Sequence, residues 1–504
     1  MFEPENSSPG IAAAQGDDGT PATELGPVGP ARHSSHTKGD SGSPGPAPWA
    51  WEIDPENPYN WRRWKKNLQL LMISCVAFTA SVGTSIISPA HGQLMDEFHV
   101  SSTVAFLPIT TYVMALGLGP VLGGPLSETA GRKAVWYMAA FLGGLFALSC
   151  GLVHNFAGLC ILRFLSGFFY GPGLAVGAGV LAEVYLPLDR GGPASVYTLS
   201  PFLGPGLGPV LGVFLVSRKS WRWTQFVLAA FSAVSLVLVF FAAETYQPKI
   251  QRWRSKQLGL DVIEKPPFAV TVKEFTTITI LRPLHMLVTE PIVAFLSLYV
   301  AFVFGILFMF FGVFFWIFQS TYHFTLEQSG LVFLAVAVGC VIGIVIVGFC
   351  TKLYYEREAR NYPPHEAPPE YRLLPAMVGS GLLPVSLIWF AFTAQKSVSA
   401  GWPIAAIVVF GAGNICLFVS ALQYMGDVYH RTNVASAASA NAFARYMLAA
   451  VFPLFSLQMY QNLQVKWATL VLTFIAIAML PLPFALFRYG KLLRGRSSYP
   501  TAAY

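Results

Sequence analysis

Charge is the scarcest thing in this sequence. Of its 504 residues only 11% are Asp, Glu, Lys or Arg, against roughly 25% in a soluble domain. Hydrophobic residues make up 54%, with 40 Phe and 20 Tyr among them. A water-soluble core could not bury so much apolar surface at this length. That excludes a cytosolic enzyme, a disordered chain and a nucleic-acid binder. The net charge of +7 points instead to the basic inner loops of a multi-span membrane protein. Cysteine is also sparse. Cys75, Cys150, Cys160, Cys340, Cys350 and Cys416 lie in apolar runs and form no C-x-x-C pair. They read as buried small hydrophobes, so neither a disulfide framework, a metal nor a cofactor is expected.

Catalytic signatures are missing as well. The chain has no G-x-x-x-x-G-K-[ST], no H-E-x-x-H and no G-x-S-x-G, so neither an ATP-driven pump nor an enzyme is expected. Gly117-x-Gly119-x-x-x-Gly123 only approximates a dinucleotide fingerprint and sits within an apolar run. The histidines are scattered: His91 and His99 read as solvated on an outer loop, and His430 on an inner one.

What is present is length without charge. Residues 1 to about 50 are rich in Gly, Pro, Ser and Ala, with no apolar core for a cleavable signal. They read as disordered, with order beginning near Trp49. Residues 1–60 are assigned to a cytoplasmic tail, where the Asn6-Ser7-Ser8 sequon would go unused. Beyond it, runs of about 20 apolar residues recur, the length that crosses a bilayer. Six fall at about 67–88, 103–124, 135–153, 158–181, 192–214 and 224–243. Six more fall at about 291–317, 329–350, 373–394, 402–424, 436–459 and 467–487. The expected fold is an all-α membrane protein. It has twelve transmembrane helices in two pseudo-symmetric six-helix halves, 61–244 and 291–488, with a cytoplasmic tail at 489–504. The polar, basic stretch 245–290 joins the halves. Within it Phe268, Val272, Phe275, Ile278 and Leu281 recur at helix-like spacing, which suggests an amphipathic helix on the cytoplasmic face. Most of the Lys and Arg fall in inner segments if both termini are cytoplasmic. The Arg218–Arg222 cluster runs against that bias.

Between spans 2 and 3 lies Gly124-Pro125-Leu126-Ser127-Glu128-Thr129-Ala130-Gly131-Arg132-Lys133, and Glu183 ends span 4 on the same side. Small residues, an acid and two bases make a tight turn that can latch helices through charge. The loop resembles the signature of the major facilitator superfamily, with Glu128 for the usual Asp and Thr129 where Arg is common. The resemblance extends to fungal twelve-span drug:proton antiporters. Asp54-Pro55-Glu56-Asn57-Pro58-Tyr59-Asn60-Trp61, Trp221-Arg222-Trp223, Glu244-Thr245-Tyr246-Gln247-Pro248 and Glu290-Pro291-Ile292-Val293 carry it. So do Pro369-Glu370-Tyr371-Arg372-Leu373, Tyr424-x-x-Asp427 and Asn441-x-x-x-Arg445. It implies a cytoplasmic latch of Gly124, Glu128, Gly131, Arg132, Lys133 and Glu183, with Asp427 at the matching end of span 10.

Arg163 in span 4 must face the bundle interior or a wet cavity, because a charge in hydrocarbon is costly. By resemblance Arg163, with Glu128 and Arg445, belongs to proton coupling; a structurally paired Arg is the plainer reading. Span 5 carries Gly204, Pro205, Gly208, Pro209 and Gly212, a flat and bendable face that resembles the family's antiporter motif. Close packing alone also accounts for it. Span 7 is aromatic, and Tyr299, Phe308, Phe311 and Phe315 are candidate walls of a greasy cavity. Ser85, Tyr112, Tyr170, Tyr197, Asn414, Asn441 and Arg445 are the candidate polar contacts. The polyamine-exporting branch of the resembling family has a Glu within F-F-E-A-F, where this chain reads Phe310-Phe311-Gly312-Val313-Phe314. The span cores contain no Asp or Glu, so the cavity suits neutral, amphipathic or anionic solutes better than polycations.

The resemblance implies proton-driven export of drugs, fungicides or a secondary metabolite across a fungal plasma membrane. The expected partners are a small-molecule substrate, protons and the lipid bilayer, with no nucleic acid, and the chain is expected to be a monomer. Polyamine or organic-anion transport, or a sensor without flux, are the alternatives.

Overall fold

A backbone in hydrocarbon must satisfy its own N–H and C=O groups, so long apolar runs become helices. The structure, a computed structural model, describes residues 51–186, 189–259, 281–362, 368–429 and 431–501. In the first half span 1 is Arg63–Ser85, and span 2 is Leu107–Leu118 continuing through Gly119 into Pro120–Thr129. Spans 3 to 6 are Arg132–Leu152, Phe156–Val184, Gly191–Arg218 and Arg222–Phe241. In the second half span 7 is Pro291–Tyr322, and span 8 is Leu326–Leu331 with Leu334–Cys350. Spans 9 and 10 are Leu374–Thr393 and Gly401–Val428. The stretch Arg431–Met479 holds two more spans, because Gln464 (φ 62, ψ 161) breaks it. Tyr460 Oη lies 3.1 Å from Thr469 Oγ1, whereas nine residues of straight helix would separate them by about 13.5 Å. The chain therefore reverses at Gln464. Span 11 is 431–463, and span 12 is 465–479, prolonged by Pro481–Arg494.

Local signals set the ends. Asn155 caps span 4 by accepting from Ala157 N, and Thr325 forms a capping box with Gln328 at span 8. Gly131 turns between spans 2 and 3 at φ 95. A side chain there would meet Glu244 and Lys249 as well as the left-handed backbone penalty.

Packing repeats from half to half. Span 1 packs on span 5, span 2 on 4, and span 3 on 4 and 6. Adding six gives the second half: 7 on 11, 8 on 10, and 9 on 10 and 12. The halves meet through spans 2 with 11 and 5 with 8, which the same pseudo-two-fold exchanges. Large apolar side chains point outward on peripheral spans, such as Phe141 and Leu145 on span 3, Val237 and Phe240 on 6, Phe392 on 9, and Phe474 on 12. Such an apolar surface suits hydrocarbon better than water.

One expectation changes, and another lies mostly outside the described residues. Phe268, Val272, Phe275 and Ile278 lie outside the described residues, but a helix does cover Arg282–Thr289, with Met286 buried and Val288 exposed. A second, basic helix, Gln247–Gln257, follows span 6. His91 is not a solvated loop residue: its Nε2 lies 2.9 Å from Ser102 O and its ring rests 4.4 Å from Phe106. His430 lies outside the described residues.

Candidate functional site

Two charge clusters sit on the face that carries the loop between spans 2 and 3, here the basic face. Arg132 opens span 3 and Glu183 closes span 4. Arg132 Nε and Nη2 donate to Glu183 Oε1 at 3.1 and 2.8 Å. Its Nη1 reaches Ser127 Oγ at 2.6 Å, and its backbone N–H reaches Glu244 Oε1 at 2.8 Å. Thr245 Oγ1 donates to Glu183 Oε2 at 2.9 Å, and Lys249 pairs with Glu244 at 3.1 Å. Lys133 Nζ donates to Phe240 O at 3.2 Å instead of joining an acid. Gly124 and Glu128 lie on the helix Pro120–Thr129, but their surroundings are outside the described residues. The second half repeats the device. Arg372, just before span 9, donates through Nε to Asp427 Oδ2 at the end of span 10, at 2.8 Å. Arg494 pairs with Glu370 beside it.

Arg163 acts as a bolt. It is fully buried, and its Nε and Nη2 donate to Pro108 O (3.1 Å) and Gly83 O (2.7 Å), with Gln225 Oε1 at 3.4 Å. Its guanidinium lies 4.2 Å from the Tyr112 ring, whose hydroxyl donates to Ala80 O at 2.8 Å. Four spans of the first half thus share one cation, which is stabilised by carbonyls and a ring face.

Span 5 explains the small residues. Gly204, Gly208 and Gly212 ride on span 1 at Ser81, Ser85 and Ile86, too close for any side chain. Pro205 has no N–H to offer Pro201 O, and Ser81 Oγ donates to that carbonyl. Ser85 Oγ donates to Gly204 O at 3.1 Å. Pro209 is buried beside them. Gly206 faces the other way, 2.9 Å from Ala337 of span 8 for a built Cβ.

At the seam between the halves Arg445 of span 11 is walled by rings. Phe418, Tyr446 and Phe304 lie 4.5, 4.7 and 4.8 Å from its guanidinium carbon. Phe202 of span 5 lies 4.7 Å from Phe418. Arg445 is 9% exposed, and its buried Nε has no hydrogen-bond partner. Asn414 Nδ2, one turn from Phe418 on span 10, and Tyr299 Oη are also buried without partners. A buried donor without an acceptor costs about 1–3 kcal/mol, so the Arg445 Nε is a position suited to a hydrogen-bond acceptor. The seam is closed on the far side. There Thr110 Oγ1 donates to Ala450 O (2.8 Å), Gln458 Nε2 to Thr103 Oγ1 (2.9 Å) and Ser217 Oγ to Glu327 Oε1 (2.8 Å).

The sequence model of the Major Facilitator Superfamily matches residues 73–453. The chain belongs to the major facilitator superfamily. Polyamine transporter 4 of Saccharomyces cerevisiae is 34% identical, over 93% of this chain and 75% of that protein. The MFS-type transporter traF of Penicillium crustosum is 36% identical, over 90% and 92%. Fluconazole resistance protein 1 of Saccharomyces cerevisiae is 33% identical, over 94% and 89%. The fold also matches the xylose transporter XylE from E. coli, with a TM-score of 0.57 at 13% identity, covering 84% of this chain and 99% of that one.

Within this major facilitator fold the candidate residues divide. Tyr170 Oη donates to Ser232 Oγ and Tyr197 Oη to Leu174 O, both at 2.8 Å, so with Ser85 and Tyr112 their hydroxyls are engaged inside the first half. Asn441 Nδ2 reaches Ser297 Oγ at 3.4 Å. Phe311 and Phe315 pack on Phe333 of span 8, while Phe308 stacks toward Phe304 at 5.1 Å. Arg445, Asn414 and Tyr299 are the members with unspent polar atoms. Sequence reasoning did not single out Phe202, Phe304, Phe418 and Tyr446 as site residues, nor Arg372 as the partner of Asp427. The Arg445-Tyr446 pair and the Asn414/Phe418 spacing were the available signals.

Proposed function

We propose that the chain is a proton-driven exporter of small neutral, amphipathic or acidic organic molecules. It works by alternating access across the plasma membrane of a fungal cell, as a monomer with both ends in the cytoplasm. Drugs, fungicides or a secondary metabolite are the substrates in this reading. Relatives named for drug resistance and efflux support the direction of transport. The basic face, rich in Lys and Arg, supports the orientation. The observation that carries the substrate class is Arg445, a buried cation with an unpaired Nε between aromatic walls where the halves meet. An acidic or hydrogen-bond-accepting group would fill that position, and the rings would hold a planar body. A polycation would meet like charge there, although one relative is named a polyamine transporter. Glu183 and Asp427 are the proton-linked acids in this reading. Protonating either would release its Arg and loosen the basic face, and Glu128 would join them.

The test is flux in vesicles holding the purified chain, with an imposed pH gradient. Acidic and neutral aromatic compounds should move against their gradient, and collapsing the pH difference should stop them. Movement of spermine alone, or flux indifferent to the gradient, would overturn the reading.

A further inference from the structure

Glu290 ends the linker before span 7 and is 1% exposed. No Lys or Arg pairs with it among the described residues, yet both its oxygens are occupied. Tyr429 Oη and Ser497 Oγ donate to Oε2 at 3.0 and 2.7 Å, and Ser498 N–H donates to Oε1 at 2.9 Å. Burial and the neighbouring Glu290 push the Tyr429 phenol up, which keeps it a donor. Two of the three donors come from the segment after span 12. That segment is fastened at three further points. Thr501 pairs with Tyr429 as an antiparallel bridge, Thr501 Oγ1 donates to Arg494 O at 3.3 Å, and Tyr499 Oη meets His285 Nδ1 at 2.9 Å. It clamps the start of span 7 to the junction of spans 10 and 11, and span 7 packs along the helix that carries Arg445. A buried carboxylate held only by hydrogen bonds depends on keeping them.

The clamp carries its own means of release. Ser498 is exposed, its hydroxyl makes no hydrogen bond among the described residues, and its backbone is irregular. Arg496, two residues upstream, is exposed too. Arg494 is buried against Glu370, so Arg496 is the open basic residue ahead of the hydroxyl, and it complements an acidic enzyme cleft. We propose that Ser498 is a phosphorylation site for an arginine-directed serine kinase, and that its phosphate opens the clamp on Glu290. Ser498 Oγ attacks the γ-phosphorus of ATP. The Oγ–P bond forms as the bond to ADP breaks, and the hydroxyl proton passes to the kinase's base. The new group carries a charge of about −1.5 to −2 on the residue whose N–H binds a buried carboxylate. Like-charge repulsion then removes the Ser497 and Ser498 donors together.

In the cell this rests on the cytoplasmic orientation proposed above, but in detergent both faces are open, so the test does not depend on it or on flux. The purified full chain is incubated with Mg-ATP and the catalytic subunit of an arginine-directed serine kinase. Mass spectrometry locates phosphate, and hydrogen exchange is followed in residues 284–290 and 425–429. Phosphate on Ser498 with exchange there faster by roughly tenfold or more is expected, the scale of losing charge-assisted hydrogen bonds. Ser498→Ala should take no phosphate at that position and exchange like the parent. Ser497→Ala should speed exchange without any kinase. Absence of phosphate on Ser498, or phosphate with unchanged exchange, overturns the proposal, as does unchanged exchange in Ser497→Ala.

Discussion

Phe106 occupies the space that a side chain at Gly312 would need. A Cβ built on Gly312 of span 7 would stand 2.5 Å from Phe106 Cζ, ahead of span 2 in the other half. Phe106 is 1% exposed and backed by His91. The missing acid in the Phe310–Phe314 run is therefore a packing feature as well as a charge feature: the ring and the glycine help close the seam on the far side. Gly312→Ala should destabilise this closed arrangement by about 1–3 kcal/mol, the usual cost of overpacking. Phe106→Leu in the same chain should recover most of it. Thermal unfolding of purified variants reads both, and an unaffected Gly312→Ala would show that the contact gives way freely.

Arg132–Glu183 and Arg372–Asp427 occupy equivalent places in the two halves but differ in burial. Side-chain exposures are 18% and 15% in the first pair, and 20% and 36% in the second. The first also has Ser127 and Thr245 as partners. Removing one member of a desolvated pair leaves the other uncompensated, and a pair is worth less the more solvent its acid keeps. Arg132→Gln should therefore lower the unfolding temperature more than Arg372→Gln. The reversed pair Arg372→Asp with Asp427→Arg should restore more stability than either single change. Equal losses in the two halves would deny the difference in burial any energetic weight.

Ser81 and Pro205 make a third test. Proline leaves Pro201 O without its helical donor, and Ser81 Oγ supplies one from span 1. Ser81→Ala should cost about 0.6–2 kcal/mol, the range for hydrogen bonds between membrane helices and for orphaned buried acceptors. Pro205→Ala restores an N–H within span 5, so in that background Ser81→Ala should cost far less. Additive losses in the double variant would mean that Ser81 does not answer to the proline.

The spans were legible because hydrocarbon admits so few backbone solutions. Even the reversal at Gln464 falls where the apolar run between two candidate spans stops. Arg163 and Arg445 stood out because a charge in an apolar helix is conspicuous. What each touches was not legible. Arg163 finds carbonyls of spans 1 and 2, and Arg445 finds rings, of which Phe304 and Phe418 lie on two other spans. Such neighbours depend on helix rotation and crossing, which one-dimensional periodicity does not fix. Ser85 and Tyr112 look like ligands in sequence for the same reason, since the carbonyls they satisfy belong to turns far along the chain.

Arg445 yields the sharpest functional expectation. Its charge is buried among Phe304, Phe418 and Tyr446, and its Nε is unpaired. Cation–ring contacts of about 0.5–2 kcal/mol each compensate part of the desolvation but leave the Nε donor unanswered. A bound carboxylate or phenolate would supply that acceptor, and a charge-assisted bond is worth about 1.5–3 kcal/mol. Arg445→Gln should then lower export of an acidic aromatic compound by roughly tenfold or more, since about 1.4 kcal/mol is a factor of ten. A neutral compound of the same shape should lose far less, because the rings that hold it are intact. Arg445→Lys keeps the charge but not the planar fork, and should fall between the two for the acid. The comparison is made as initial rates in vesicles at one imposed pH gradient. Equal losses for acidic and neutral compounds would place Arg445 in holding the helices together, with no part in choosing the cargo.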